Sequence, residues 1–578
     1  MTNKRTIQSA FSAIKIGLML TTGQSHAISV PEKMQNAAIY AQKRAKFAKV
    51  MAGALVRHCY QESITHTAIE QKLAQIYGSI TDRPTQETVT NNAEKLHKAI
   101  KNNLSAYISP QEFILGASSS AYQMEGGLDE TSAAARFYAE KTQLPMAGDA
   151  IDFYNRYRTD IKQLQEELHI NGYRLSVAWN RIQPTQNTFD MQAIAQYKDI
   201  LKTLLQHNIK PMFVFHHYDV PQWFEDLGGF ELQENGKHFK QFCLKTYSEL
   251  AQELGQCHIS MCNAPEGPAF KGYFTGDGTP GEKDNLQKTH TVIANMYYEL
   301  VDTSLAIQAE YKKLKKTQHS LQKPSIGTQI NIVLLDPHED SQKNWKSRLK
   351  TTLGCAMADY IQSGGTFDFL VNGVYSMYTP NADFMKQAKS VDVYRYHPDA
   401  YKAFDWIGVN IYSNRFLNGF EQVTGDKLVE KDEERRTDNA NYRNYPEGIY
   451  RAVQMITERV AKPLGKIKNK DGKALPIIVT ENGIATKDDA KRTRYFQRAL
   501  TTIAQLIEEG NPVIGYLPWT SHDNYEWPTK DNPQGFGSKC YGFFAVNMDK
   551  NSPDYLKRTL KDGSRYYADF AHDFFEIA

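Results

Sequence analysis

Glu481 closes a short apolar run, LPIIVTENGI from Leu475 to Ile484, in which Ile477, Ile478 and Val479 precede a carboxylate, an amide and a glycine. A β-branched run too short for a helix and ended by a turn signal predicts a strand buried on both faces, with Glu481 at its carboxyl end. In a parallel α/β barrel that end is the reactive face, so a lone carboxylate there is a candidate nucleophile. The competing reading of Thr-Glu-Asn-Gly is a plain turn. Other polar and aromatic side chains recur at the ends of further expected strands: Gln123, Arg174, His216, His217, Asp219, Asn263, Asn331, Tyr412 and Trp519. Amides and imidazoles pair with vicinal hydroxyls, and an indole face packs on the apolar face of a pyranose, so the mixture implies a sugar pocket.

The elements that must position these residues follow from the patterning. From Phe113 onward, strand-like runs alternate with amphipathic helices, as in a β/α fold with a parallel sheet. Helices are expected around Ile161, Leu164 and Leu168, around Tyr197 to Leu205, and around Phe242 to Leu254. Strands are expected at 113–117, 172–179, 209–215, 258–262, 326–330, 404–409, 477–480 and 513–519. Eight such units predict an α/β chain folded as a (β/α)8 TIM barrel over residues 111–578. Before it, residues 1–110 read as a small helical extension. Apolar residues recur every three or four positions from Met34 to Leu55, from Ile69 to Ile76 and from Val89 to Leu104. That extension is expected to be a packing appendage or an oligomerisation surface, with a lid or a partner-binding role as the alternative, its partner unknown.

Composition sets outer limits. With 41% hydrophobic and 23% charged residues the 578-residue chain is ordinarily globular, and a net charge of +3 argues against a nucleic-acid partner. The basic run Lys312 to Lys316 reads as a solvated helix end. Six cysteines are too few and too irregularly spaced for a disulfide framework, and Cys257, His258 and Cys262 read as structural rather than as metal ligands. No metal or organic cofactor is called for. No apolar run is long enough to span a membrane. Residues 1–27, with Lys4-Arg5, an apolar stretch interrupted by Lys15, and Ser25-His26-Ala27, resemble an export signal, against an ordinary first helix. A cytoplasmic location is the expectation, with export left open.

The quoted motifs carry a further resemblance. FILGASSSAYQMEGG, DFYNRYRTDIKQL with YRLSVAWNRIQP, FHHYDVPQW, FDWIGVNIYSN, VTENG, WTSHDNYEW and KCYGFFAVN occur in this order between Phe113 and Phe570. In this the chain resembles glycoside hydrolase family 1, the β-glucosidase-like retaining glycosidases. The resemblance implies hydrolysis of O-glycosides in carbohydrate metabolism and a small carbohydrate or glycoside as partner. It implies Glu481 as nucleophile with Arg174 and Tyr412 beside it, and a glycone pocket of Gln123, His217, Asn263, Trp519, Glu526 and Trp527. A nearby cation and a phenol hydrogen bond both favour the ionised carboxylate that a nucleophile must be.

One position departs from the family. Its general acid/base is the glutamate of an Asn-Glu-Pro motif, and here the motif reads Asn263-Ala264-Pro265. Retaining hydrolysis uses two carboxylates about 5 to 5.5 Å apart, and losing acid/base help lowers rates by about 10² to 10⁴. Glu266 is the candidate surrogate. In extended chain two residues span about 6.6 Å, so it reaches the acid/base position only if the loop is rebuilt; otherwise it alters the aglycone side or solvates the loop. Lys539 and Tyr541 are similar to the phosphate-binding pair of relatives acting on 6-phospho-sugars, whereas Glu526, a carboxylate those relatives lack, favours a plain hexoside. Two expectations result: a glycosidase with an impaired acid/base site, or a sugar-binding or partner-binding pseudoenzyme.

Overall fold

The computed structural model describes residues 32–60, 73, 84–380, 390–423, 433–439, 442–528 and 532–578. The signal-like segment and most of the stretch around Ile69 to Ile76 lie outside these. Eight parallel strands close a barrel: β1 (Ile114–Ser118), β2 (Gly172–Ser176), β3 (Lys210–Val214), β4 (His258–Asn263), β5 (Ser325–Asn331), β6 (Trp406–Asn410), β7 (Ile477–Glu481) and β8 (Val513–Tyr516). Each pairs with its neighbours in chain order, and β1 pairs with β8 to complete the ring. All eight expected strands are present, displaced at their ends by a few residues. Most are buried along their whole length, which is why they read as unbroken apolar runs rather than as alternating ones.

Some of the helices that follow the strands begin at side-chain caps. Asp190 accepts the backbone N–H groups of Gln192 and Ala193 at 2.8 and 3.0 Å to start helix Met191–Gln206. Asp488 does the same for Lys491 at 3.0 Å. Each cap satisfies donors that the first helical turn leaves without partners. The face carrying Tyr197, Ile200, Leu201 and Leu204 is buried against the barrel, as are Ile161, Leu164 and Leu168 on helix Phe153–Leu168.

Two helices of the N-terminal extension are described, α1 (Glu32–Tyr60) and α2 (Gln86–Ala99). Val89, Ala93, Leu96 and Ala99 of α2 are buried in the same apolar cluster as the barrel strands, with Asp573 of the C-terminal helix accepting hydrogen bonds from Gln86 and Thr90. Helix α1 lies across the long helix Trp345–Asn372 and the antiparallel pair Val374–Thr379 and Val391–Tyr396. Lys46 of α1 donates to the carbonyl oxygens of Gly364 (2.8 Å) and Ser376 (3.2 Å) and pairs with Asp368 at 2.6 Å. Among the described residues, no helix is long and apolar enough to cross a membrane.

Candidate active site

Glu481 is the last residue of β7. The register between β7 and β6 shifts between Val479 and Glu481, and the chain then turns sharply. Asn482 Nδ2 donates to the Ile411 carbonyl at 2.6 Å, and a Cβ on Gly483 would stand 2.2 Å from the Trp519 carbonyl oxygen. Asn and Gly of the TENG sequence are therefore required by close backbone packing, and together they hold Glu481 at the mouth with only 7% of its surface exposed.

Its carboxylate is held from two sides. Arg174 Nη2, on β2 and fully buried, donates to Oε1 at 2.5 Å. Tyr412 Oη, just beyond β6, donates to Oε2 at 2.7 Å. Burial, and then the charge of Glu481, raise the Tyr412 phenol well above its ordinary value, so it remains a donor. The other guanidinium nitrogen, Nη1, donates to Asn263 Oδ1 and to Gln329 Oε1, both at 3.0 Å. Asn263 Oδ1 also accepts from Asn410 Nδ2 at 2.8 Å, and Asn263 Nδ2 lies 3.1 Å from His217 Nε2. A single network thus joins side chains from or beside six strands, β2 to β7.

On the other wall, Trp519 faces the His217 ring at 5.9 Å between centroids and donates its indole N–H to Glu526 Oε1 at 2.9 Å. Gln123 is buried, with its amide bonded to Ser120 and to the Tyr525 carbonyl. Trp527 is half-buried and stacks on Tyr122 at 5.5 Å. Burial pushes the Glu526 carboxyl up to about 8; the Trp519 hydrogen bond and the charges of Lys539 and Lys271 oppose the rise, while the charge of Glu481 adds to it. His217 is driven well below the usual imidazole range by burial and by Arg174, and its Nδ1 has no protein partner. A neutral imidazole with a free nitrogen, a protonatable carboxyl and an indole face are groups suited to sugar hydroxyls.

Not every strand-end residue joins this network. The chain beyond β3 alternates: His217 turns to Asn263, while His216 turns away to the Cys262 thiol, 3.1 Å off. Asp219 is taken up by the loop that follows β1, accepting from Ser132 Oγ (2.9 Å) and the Ala134 amide (3.1 Å). Asn331 ends β5 in register with Asn410. Two aromatic residues not singled out from sequence belong to the site: Tyr442, stacked on Tyr412 at 5.4 Å, and Tyr218, beside His217. The place of Tyr218 directly after His217 in FHHYDV was the available sign for it; Tyr442 lies in a polar loop with no periodic pattern.

At the end of β4, Ala264 is buried and has a left-handed backbone, φ 49°. The chain does not continue extended to Glu266. It turns into the short helix Glu266–Phe270, and the Glu266 side chain is 5% exposed rather than solvated. Oε1 of Glu266 accepts from Tyr297 at 2.6 Å and from Thr366 at 3.1 Å, on helices Leu286–Leu314 and Trp345–Asn372; Oε2 is buried without a partner. Among the described residues, no hydrogen bond joins Glu266 to the Glu481 network. Among the described residues, the one group of three metal-type ligands is His572, Asp573 and Glu576, on the C-terminal helix and away from the strand ends.

Comparison with known proteins gives the family. A family profile described as glycosyl hydrolase family 1 matches residues 105–574. The chain belongs to glycosyl hydrolase family 1. Its similarity to a furostanol glycoside 26-O-beta-glucosidase of Hellenia speciosa is 26% identity, covering 84% of this chain and 87% of that protein. Beta-glucosidase A of Acetivibrio thermocellus is 25% identical, covering 79% of this chain and 97% of its own. Among solved structures, a beta-glycosidase from Pyrococcus horikoshii aligns over 80% of this chain and 94% of its own with a TM-score of 0.60 and 25% identity. As a family 1 chain with the closed (β/α)8 barrel, this protein is a β-glycosidase by descent.

Proposed function

We propose that this family 1 chain is a retaining β-glucosidase-type enzyme restricted to glycosides whose leaving group departs without a proton. The observation that carries the reading is the pairing of Glu481 with Arg174 and Tyr412 while Ala264 stands at the end of β4. A Glu481 oxygen attacks the anomeric carbon, and the bond to the aglycone oxygen breaks with both electrons leaving on that oxygen. Ala264 has no proton to offer it. An alkoxide is a poor leaving group under those conditions; a phenolate of low basicity is not. Water attacking the glycosyl-enzyme likewise finds no base, so the second step is slow unless a nucleophile that needs no deprotonation replaces it.

A second reading, sugar binding without turnover, is favoured by the same Ala264 and by the undisturbed glycone wall of His217, Asn263, Trp519 and Glu526. Tyr541 does not speak for a phosphate: its hydroxyl accepts from Asn439 Nδ2 at 3.0 Å, and Glu526 is retained beside Trp519. A plain hexoside fits this better than a phosphorylated one.

Incubation with a dinitrophenyl β-glucoside, with and without azide, tests the reading together with intact-mass analysis after a 2-fluoro sugar. An adduct on Glu481 and release accelerated by azide support it. Folded protein that binds glucose yet forms no adduct and releases no phenol would leave the binding role.

A further inference from the structure

Tyr218 carries a hydroxyl that the Glu481 network does not use. It stands at the tip of a tight turn beyond β3: the Asp219 N–H donates to the His217 carbonyl at 2.8 Å, and Tyr218 between them has a left-handed backbone, φ 66°. That combination is a γ-turn of the rare hand, which an aromatic residue adopts only where its surroundings hold it. The turn sends the ring across to the end of β4. A Cβ on Gly267 would stand 2.1 Å from Tyr218 Oη, so the glycine makes room for the phenol. Gly267 in turn donates its N–H to the Ala264 carbonyl at 2.9 Å, and the phenol oxygen therefore lies against the same short turn that carries Ala264. Tyr218 is half-buried, and among the described residues no hydrogen bond reaches its Oη. Burial, and then the charge of Glu481 ahead of any other, raise the phenol well above its ordinary value, so it keeps its proton.

We propose that Tyr218 is the hydrogen-bond donor to the glycosidic oxygen, a catalytic residue acting on the leaving group where Ala264 cannot. The proposal deepens the reading of Glu481 as nucleophile and rests on it. As a Glu481 oxygen attacks the anomeric carbon, the bond from that carbon to the aglycone oxygen breaks with both electrons on the oxygen. The Tyr218 O–H bonds to that oxygen as negative charge builds, and the proton stays on Tyr218 when a phenolate is released. A fixed donor stabilises this charge without reorganisation, and does more for a more basic oxygen. It does not replace a carboxylic acid, because a phenol held above its ordinary range gives up its proton poorly. Leaving groups able to depart as anions are therefore still required. Two neighbouring groups are already engaged: Glu266 by Tyr297 and Thr366, and the Tyr412 hydroxyl by Glu481. Tyr218 keeps its hydroxyl free.

The experiment measures kcat/KM of wild type and Tyr218→Phe on the dinitrophenyl, para-nitrophenyl and phenyl β-glucosides, whose phenols are increasingly basic. Because Oη has no protein partner among the described residues, its removal breaks no bond that holds the fold. Tyr218→Phe is expected to change the dinitrophenyl value by less than about twofold and to lower the phenyl value by about 10², so that the decline with phenol basicity steepens. A loss of equal size on all three substrates, or no loss on any, overturns the proposal. Wild type that does not turn over the dinitrophenyl glucoside marks failure of the Glu481 reading instead. The contact is then read by calorimetric binding of phenyl β-glucoside and its sulfur-linked analogue, sulfur being a weak acceptor. A preference of about fivefold for the oxygen-linked sugar in wild type, lost in Tyr218→Phe, sustains the hydrogen bond. A preference that is the same in both proteins overturns it.

Discussion

Arg174 and Glu481 meet end to end across the barrel mouth, Nη2 to Oε1 at 2.5 Å, one fully buried and the other nearly so. The pair draws residues from β2 and β7 together, and the second arm of the guanidinium reaches Asn263 and Gln329 on β4 and β5. Removing one partner leaves the other charge buried and unpaired. Arg174→Met is therefore expected to lower stability by about 3 to 5 kcal/mol and to abolish 2-fluoro sugar labelling of Glu481. The double variant Arg174→Met/Glu481→Gln should recover much of the stability and none of the labelling. Chemical denaturation of the four proteins of that cycle is the measurement, and additive losses would remove the pairing argument.

Ala264→Glu returns a proton donor to the end of β4. On alkyl β-glucosides, which need protonation of the leaving oxygen, its kcat/KM is expected to rise by about 10² to 10⁴. On the dinitrophenyl glucoside the first step should change little, while azide acceleration should disappear. Equal changes on both substrates would show that the position does not face the leaving oxygen.

Glu266→Gln should alter turnover of the dinitrophenyl glucoside by less than about twofold, since its bonded oxygen serves Tyr297 and Thr366 rather than the Glu481 network. Loss of those two bonds in Glu266→Ala is expected to destabilise the fold by about 1 to 3 kcal/mol. A hundredfold loss of turnover in Glu266→Gln, with azide rescue appearing only then, would instead make Glu266 the acid/base.

Glu526 gives a pH signature. Burial raises its folded pKa from the ordinary carboxylate range to about 8, so between those values the folded chain holds a proton that the unfolded chain has released. Stability then falls as pH rises through that window and levels off above about 8. Asp219, raised by burial to about 7, acts with the same sign. Buried neutral histidines such as His216, lowered to about 4, act oppositely, losing stability as pH falls below the unfolded imidazole range. The difference in unfolding free energy between wild type and Glu526→Gln isolates the first contribution. It is expected to move against wild type with increasing pH from about 5 to 8, at up to ~1.4 kcal/mol per pH unit. A difference that is flat with pH would place the Glu526 proton elsewhere.

Much of this architecture was written in short runs. Ile477 to Val479 and Met212 to Val214 are apolar because both faces of each strand are covered, and that makes a barrel strand recognisable without its partners. The pocket was legible where a functional group sits within one or two residues of a strand end, as Arg174, Asn263 and Glu481 do. It was not legible where a loop decides. His216 and His217 are adjacent and alike in type, yet strand-like alternation sends one to Cys262 and the other to Asn263. Glu266 owes its surroundings to a helical turn that begins immediately after Pro265, in place of extended chain. Tyr442 reaches Tyr412 from a segment without periodicity.

The hydrogen-bonded network through Arg174, Asn263, Gln329, Asn410 and Glu481 has a bearing on how such a chain arises. Asn263 takes part in it through its side chain, whereas Ala264, the next residue, contributes only a backbone N–H to the Gln329 carbonyl at 3.2 Å. The groups that fasten the rim of the barrel and the group that would move protons are neighbours in sequence but separable in role. Under the proposed reading, a lineage that exchanges the proton carrier at that one position still inherits the fastened rim, on which selection for a different leaving group then has room to act.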